Sequence, residues 1–273
     1  MMTEAMAQAD LIRMGVFLAI FAAMASWEVL APLRRSGLPR LVRWSNNLAM
    51  VAVGNLLLKL VFPLTAVSFA ALAQARGWGL LGQVNWPGWL ELALAFVILD
   101  LAIYAQHRLF HSVPLLWRLH RVHHADTMID VTTALRFHPL EIALSMGIKL
   151  AVIALAGASA EAVLLFEIVL NGAAMFNHAN VSLPAWLERP LRWAIVTPDM
   201  HRIHHSTLAD ETNSNYGFNL SCWDRLFASY TARPSRPQET MPIGLDQFRD
   251  PRDAWLDRLL LQPFAPSQPS PEG

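Results

Sequence analysis

Charge and thiols are what this chain lacks. Only 15% of its 273 residues are Asp, Glu, Lys or Arg, and 21 basic side chains balance 21 acidic ones. With no long basic run and zero net charge, the sequence gives no support to nucleic-acid binding. The one cysteine, Cys222, excludes an internal disulfide and a thiolate metal cluster, so any metal must sit on nitrogen and oxygen. Lysine is nearly missing as well: Lys59 and Lys149 are the only two, a mark of GC-rich bacterial genomes. No glutamate lies between closely spaced histidines, so the HExxH motif of zinc proteases does not occur. Nor does any repeat of about 20 to 50 residues recur.

What the chain has in excess is apolar surface. Hydrophobic residues make up 54% of it and the mean hydropathy is +0.33, a balance that suits a membrane protein. The polar start lacks the basic leader and cleavage site of a secretory signal, so the first apolar run, residues 14–33, is expected to be retained as a span. Arg34, Arg35, Arg40 and Arg43 follow it, which places that loop in the cytoplasm by the positive-inside rule. Residues 48–75 form a second run with a bend expected near Pro63. The glycine- and tryptophan-containing loop 76–88 fits the outer interface, and residues 89–105 return the chain inward. Two shorter runs, 140–156 and 160–176, joined at Gly157, read as a membrane hairpin. Residues 181–199, with Pro184, Pro190, Pro198, Trp186 and Trp193, read as interfacial. The rest is polar, then proline-rich, and is expected to be a mobile tail with one surface helix at 251–261.

Histidine supplies the chemistry. Residues 107–124 read HRLFHSVPLLWRLHRVHH and hold His107, His111, His120, His123 and His124, half of the chain's ten histidines. Residues 201–205, HRIHH, repeat the second half with His201, His204 and His205. Spacings of i, i+3 and i+4 put imidazoles on one helix face, so each cluster is expected to aim at a single point. One HxxHH alone is often a surface helix. Two copies and an HxxxH flanking one apolar hairpin are hard to reconcile with that. An ion takes about four to six ligands, so eight clustered histidines imply two ions.

His138, in FHPLE, and His178, in FNHAN, stand alone, yet they lie at the inner ends of the hairpin and join the set of candidate ligands. Asp126, Asp130, Glu141, Asn180 and Asp199 are near enough to orient ring N–H groups, although helix capping or solvent exposure would explain any one of them equally. Glu28, Asp100, Lys149 and Glu167 lie near span ends and are expected to snorkel or cap, whereas Asn55 and Lys59 are expected to line a polar cavity.

With HRLFH, HRVHH, FHPLE, NHAN and HRIHH in this order, followed by TNSNYGFNLSCWDRLFASY, the sequence resembles the fatty acid hydroxylase, or sterol desaturase, superfamily of membrane di-iron enzymes over roughly residues 89–230. The resemblance implies an all-α, multi-pass membrane helix bundle with a cytoplasmic histidine-rich di-metal cap, in a bacterial inner membrane. On it the family's boxes fall on His107 and His111, on His120, His123 and His124, and on His201, His204 and His205, with His138 and His178 as additional ligands. It implies two ferrous ions, with zinc as a possible substitute, and dioxygen as co-substrate. It also implies a lipid substrate hydroxylated or desaturated at an unactivated C–H bond. Electrons are expected from a separate donor, a ferredoxin or a cytochrome b5-like protein with its reductase, since the polar N-terminus is too short for a fused haem domain. Three units are expected: N-terminal membrane helices (1–88), a catalytic domain with its hairpin (89–231) and a proline-rich tail (232–273).

Two other readings stay open. A membrane zinc-dependent hydrolase would need a carboxylate base that these motifs do not supply. A non-enzymatic metal-binding membrane protein would need only a few of the histidines.

Overall fold

The computed structural model describes residues 2–35 and 37–266, with side chains from residue 8 onward. The last part of the expected tail, 267–273, lies outside the described residues. Among the described residues five stretches are long and apolar enough to cross a bilayer: Gln8–Leu30, Arg40–Ala75, Gly88–Ser112, Pro139–Ala156 and Ala160–His178. They correspond to helices α1 (Met2–Leu30), α2 with α3 (Arg40–Val61 and Ala66–Ala75), α4 (Gly88–Ser112), α6 (Pro139–Ala156) and α7 (Ala160–His178). Even the shortest, at 18 residues, reaches about 27 Å at 1.5 Å per residue, close to the ~30 Å hydrocarbon core. The expected bend falls between Val61 and Ala66, where Thr65 caps α3 by accepting from the Ser68 amide. Among the described residues no strand forms, only two isolated bridges, Ile195 with Leu220 and Ser206 with Ile243.

The end of the bundle away from the histidines is closed by two glycines. Gly157 ends α6 in the left-handed region (φ 73°) and meets Gly79 (φ 84°) so closely that a Cβ on Gly79 would lie 2.0 Å from the Gly157 nitrogen. The apolar core beneath it gathers Leu99, Ile153, Val163 and Phe166, with Phe96 edge-on to Phe166 at 5.4 Å.

The opposite end carries the short helices: α5 (Pro114–His124), α8 (Ala185–Ala194), α9 (Pro198–His204), α10 (Ala209–Thr212), α11 (Cys222–Leu226) and α12 (Leu256–Leu261). Both histidine-bearing helices start on a proline, whose missing N–H costs nothing in the first turn. Thr197 caps α9 by accepting from the Met200 amide and donates its own hydroxyl to buried Glu188 of α8 (2.9 Å).

Several expectations are corrected here. The α2 helix begins at Arg40, not near residue 48, so Arg40 and Arg43 are helical. Arg43 is buried and donates to Asp126 (3.1 and 2.8 Å), Asp130 and Thr133, so its charge is neutralised internally and is no marker of the cytoplasmic side. Glu28 and Asp100 neither snorkel nor cap: each is buried and accepts protein N–H groups. Lys149 and Glu167 pair inside the bundle at 2.8 Å, with Arg13 on the other carboxylate oxygen. Asn55 and Lys59 face outward and line no interior cavity.

The C-terminal stretch to residue 266 is no loose tail. Met241 and Ile243 are buried against Ile129, Gly244 donates to the His205 carbonyl at 3.0 Å, and Leu259 packs on Met50 and Val122. Arg118 and Arg121 of α5 grip the carbonyls of Gln262, Pro263 and Ala265. The helix expected over 251–261 is a 3-10 turn at Pro251–Ala254 followed by α12.

Candidate metal centre

Nine of the ten histidines converge, in two groups. His107, His111, His120, His124 and His204 form one, and His123, His178, His201 and His205 the other; within each, one ring nitrogen from every member lies within 4.8 Å of the rest. The HxxHH pattern does not aim at a single point as expected. Residues i and i+4 share a face while i+3 lies round the helix by about 100° from i+4. His120 and His124 of α5 therefore join one group and His123 the other, and on α9 His201 and His205 join one group while His204 crosses over. Each helix feeds both groups, which holds them side by side: His124 stacks on His205 at 4.5 Å between ring centres.

His178 is the last residue of α7 and sits 3.1 Å from His123 and 2.9 Å from His201, Nε2 to Nε2. His138 is not brought to either group. It precedes Pro139 and caps α6, its Nδ1 accepting from the Leu140 amide and its Nε2 donating to the Leu260 carbonyl (3.3 Å). That position was readable as a cap, because a residue before a proline at the first helical position lies in extended backbone.

The proton positions are fixed from behind. His107 Nδ1 donates to the Tyr216 carbonyl (2.9 Å), His204 Nδ1 to the Ser214 carbonyl (2.7 Å) and His178 Nδ1 to the Ala174 carbonyl (2.7 Å). His120 Nδ1 donates to Glu141 (2.6 Å). A neutral imidazole that donates through Nδ1 presents a lone pair at Nε2. The Nε2 atoms of His107, His120 and His204 are buried and have no protein partner, which is what a metal ligand facing its ion looks like without the ion. Burial first, and then neighbouring imidazoles, pulls His123, His124, His201, His204 and His205 well below the ordinary histidine value, so these rings are neutral.

The spacing fits a shared ion as well. Nitrogens about 2.1 Å from one metal stand about 3.0–3.4 Å apart at octahedral or tetrahedral angles. Three Nε2 pairs of the four-histidine group, His123–His178, His178–His201 and His201–His205, span 2.9–3.3 Å, and His111 and His124 are 3.1 Å apart. An all-imidazole set suits iron, zinc, copper or nickel.

Of the acidic and amide residues expected behind the histidines, only Glu141 takes that role. Asp126 and Asp130 are paired with Arg43, Asp199 with Arg202, and Asn180 with the Arg34 backbone. Burial alone would raise the Asp126 carboxyl, but Arg43 and Arg136 bring it down to about 2. Three supports went unread in the sequence. Asp100 accepts from Asn219, Leu220 and Trp223, and Asp224 accepts from the Tyr216 and Gly217 amides, so the two carboxylates shape the loop whose Tyr216 carbonyl holds His107. Trp117 lies 4.9 Å from His111 and 5.3 Å from His124. A carboxylate in an apolar run was the available signal for Asp100; its partners, 119 and more residues away, were not readable.

Known sequences give the arrangement a context. The family model described as Fatty acid hydroxylase matches residues 92–229. An ornithine lipid hydroxylase of Rhizobium tropici is 33% identical over 161 residues, covering 59% of this chain and 47% of that protein. An alkylglycerol monooxygenase of Xenopus tropicalis is 29% identical over 53% of this chain and 30% of its own length, and a fatty acid hydroxylase of a Lecanicillium species is 29% identical over 62% and 49%. The chain thus matches half or less of the length of these curated relatives. No solved structure matches it.

Proposed function

The chain belongs to the fatty acid hydroxylase family, and from that premise we propose that it is a multi-pass membrane oxygenase that hydroxylates an unactivated C–H bond of a lipid. Desaturation of the same bond is the variant outcome. The observation that carries this is the pair of buried imidazole groups at one end of five apolar helices. His107, His111, His120, His124 and His204 would hold one iron ion, and His123, His178, His201 and His205 a second. When bound, such a pair supplies reductive activation of dioxygen, with electrons from a separate donor of the ferredoxin or cytochrome b5 type.

The chain's own residues contribute placement and dryness. The Tyr216, Ser214 and Ala174 carbonyls and the Glu141 carboxylate keep the protons of His107, His204, His178 and His120 on Nδ1, leaving Nε2 free. Eight of the nine clustered rings are buried, so water reaches them poorly, and His111 alone is half-buried. It lies at the inner end of α4, beside exposed Val113 and Leu115, an apolar rim suited to an alkyl chain. The relatives are named for an ornithine lipid, an alkylglycerol and a fatty acid, which share such a chain. We take residues 89–231 as the catalytic unit, which the family match supports. Arg35 and Arg40 support a cytoplasmic face for the histidine end, and a bacterial inner membrane is the setting that fits.

A zinc hydrolase is disfavoured because neither histidine group includes a carboxylate, and Glu141 is engaged behind His120. The test is direct. Protein purified without oxygen should carry about two iron ions per chain, and cells expressing it under labelled dioxygen should accumulate a labelled hydroxylipid. One ion or none in fully active protein, or a product lacking the label and any new double bond, would refute the assignment.

A further inference from the structure

The two groups are held differently. In the five-histidine group the rings of His107, His120 and His204 are each tied from behind through Nδ1. In the four-histidine group only His178 is so tied; the Nδ1 atoms of His123, His201 and His205 are buried without a partner. An untied ring stands where its backbone puts it, so this group depends on whatever fixes the chain around His123 and His178. These two histidines come from α5 and α7, 55 residues apart.

One buried carboxylate meets both of the stretches that follow them. Glu28 of α1 is 1% exposed, and its Oε1 accepts the amide of Val131, in the loop after α5, and the amide of Asn180, two residues past His178, each at 2.7 Å. The Asn180 stretch is closed from two further sides. The Leu33 and Arg34 amides donate to the Asn180 carbonyl (2.9 Å) and side-chain oxygen (3.0 Å), and Arg202, between His201 and His204, donates to the carbonyls of Ala179 (3.3 Å) and Val181 (3.0 Å). A carboxylate removed from water in an apolar helix is costly to keep unless it is fully engaged.

The geometry points to Glu28, which lies outside the family-matched residues 92–229, as a positioning residue that sets the spacing of His123 and His178 and so the affinity of the four-histidine site. It touches no ring and acts through backbone amides alone. The inference rests on the reading that each histidine group holds one ion.

Full-length protein in lipid nanodiscs, stripped of metal by chelation and dialysed against Co2+, separates the possibilities. Cobalt absorbs far more strongly in a four-coordinate nitrogen set than in a five- or six-coordinate one, so visible absorption names the site that empties. The unaltered protein should take up two ions. Glu28→Leu, with no acceptor, should keep the five-histidine site and bind at the four-histidine site about 10–100-fold more weakly, the range for loss of an outer partner of a metal site. Glu28→Gln, which retains a carbonyl for both amides, should bind nearly as the unaltered protein does. If Glu28→Leu fails to accumulate, Glu28→Ser, too short to span both amides, takes its place. Unchanged binding in Glu28→Leu, equal weakening of both sites, or no rescue by glutamine would each overturn the inference. Fewer than two ions on the unaltered protein would instead overturn the two-site reading beneath it.

Discussion

The five-histidine and four-histidine groups share α5 and α9, the first adding two rings from α4 and the second one from α7, yet they solve different problems. The first has three of its five rings tied to carbonyls or Glu141 and keeps one half-buried member, His111, under Trp117. The second is wholly buried, and its rings rely on the backbone around them. Anchored rings tolerate an opening beside them because their positions do not depend on what fills it. Unanchored rings need a closed surround, and here α1, α2, Arg202 and the stretch around Gly244 provide it. On the proposed reading, approach of a substrate chain belongs to the first group, and stiffness of the bundle end matters most to the second.

The largest expected effect comes from removing one ligand on each side of that comparison. His205→Ala leaves three nitrogens in its group, whereas His111→Ala leaves four, enough for a closed tetrahedral set. Turnover should fall to background in the first. Metal analysis should then find about one ion per chain in His205→Ala and about two in His111→Ala. The reverse pattern would break the assignment of ligands to groups.

How far the site could be read beforehand follows from the same helices. Histidines at i, i+3 and i+4 announce themselves because the helical period is local, and the five apolar stretches do so because bilayer thickness is fixed. The division of each HxxHH between two groups needs only the 100° step and was within reach. His138 and His178 looked alike as single histidines at the ends of the hairpin, and what separates them is that one precedes a proline and caps α6 while the other ends α7 inside the cluster. Glu28 and Asp100 could be marked as charges in apolar spans and Arg43 only as a loop charge, but their partners lie 83 to 152 residues away in sequence. Nothing in a local pattern reports such a meeting. The proline-rich end was misread for a related reason: composition spoke for a loose chain, while Met241, Ile243 and Leu259 are buried by elements far upstream.

An intermediate effect should come from the tie behind His120. Glu141 opens α6 and accepts His120 Nδ1–H at 2.6 Å. Glu141→Gln keeps the size and an acceptor oxygen for Nδ1–H but removes the charge, which lowers ring basicity. Co2+ dialysis should show the five-histidine site weakened by about 10–100-fold and the four-histidine site unchanged. Weakening of both alike would mean that the two groups are one cooperative unit and that the contrast drawn between them is only one of burial.

The smallest effect is expected at the open edge, where no ligand is lost. Trp117 covers His111 and His124 at 4.9 and 5.3 Å between ring centres, in the first half of α5 close in sequence to exposed Val113 and Leu115. If an alkyl chain passes this edge, the indole contributes apolar contact and shape to its placement, and a pocket change of a few methylenes is worth about 1–3 kcal/mol in discrimination. Trp117→Ala should therefore leave two ions per chain and the cobalt spectrum in place. It should lower kcat/KM by about ten-fold, or ~1.4 kcal/mol, and flatten the preference among substrates of different chain length. Because the ligands are untouched, the loss should fall on chain placement and vary from one substrate to another. A uniform loss across chain lengths, or a drop in metal content, would show that Trp117 only packs the cluster, and the approach would then have to be sought on another side of the five-histidine group.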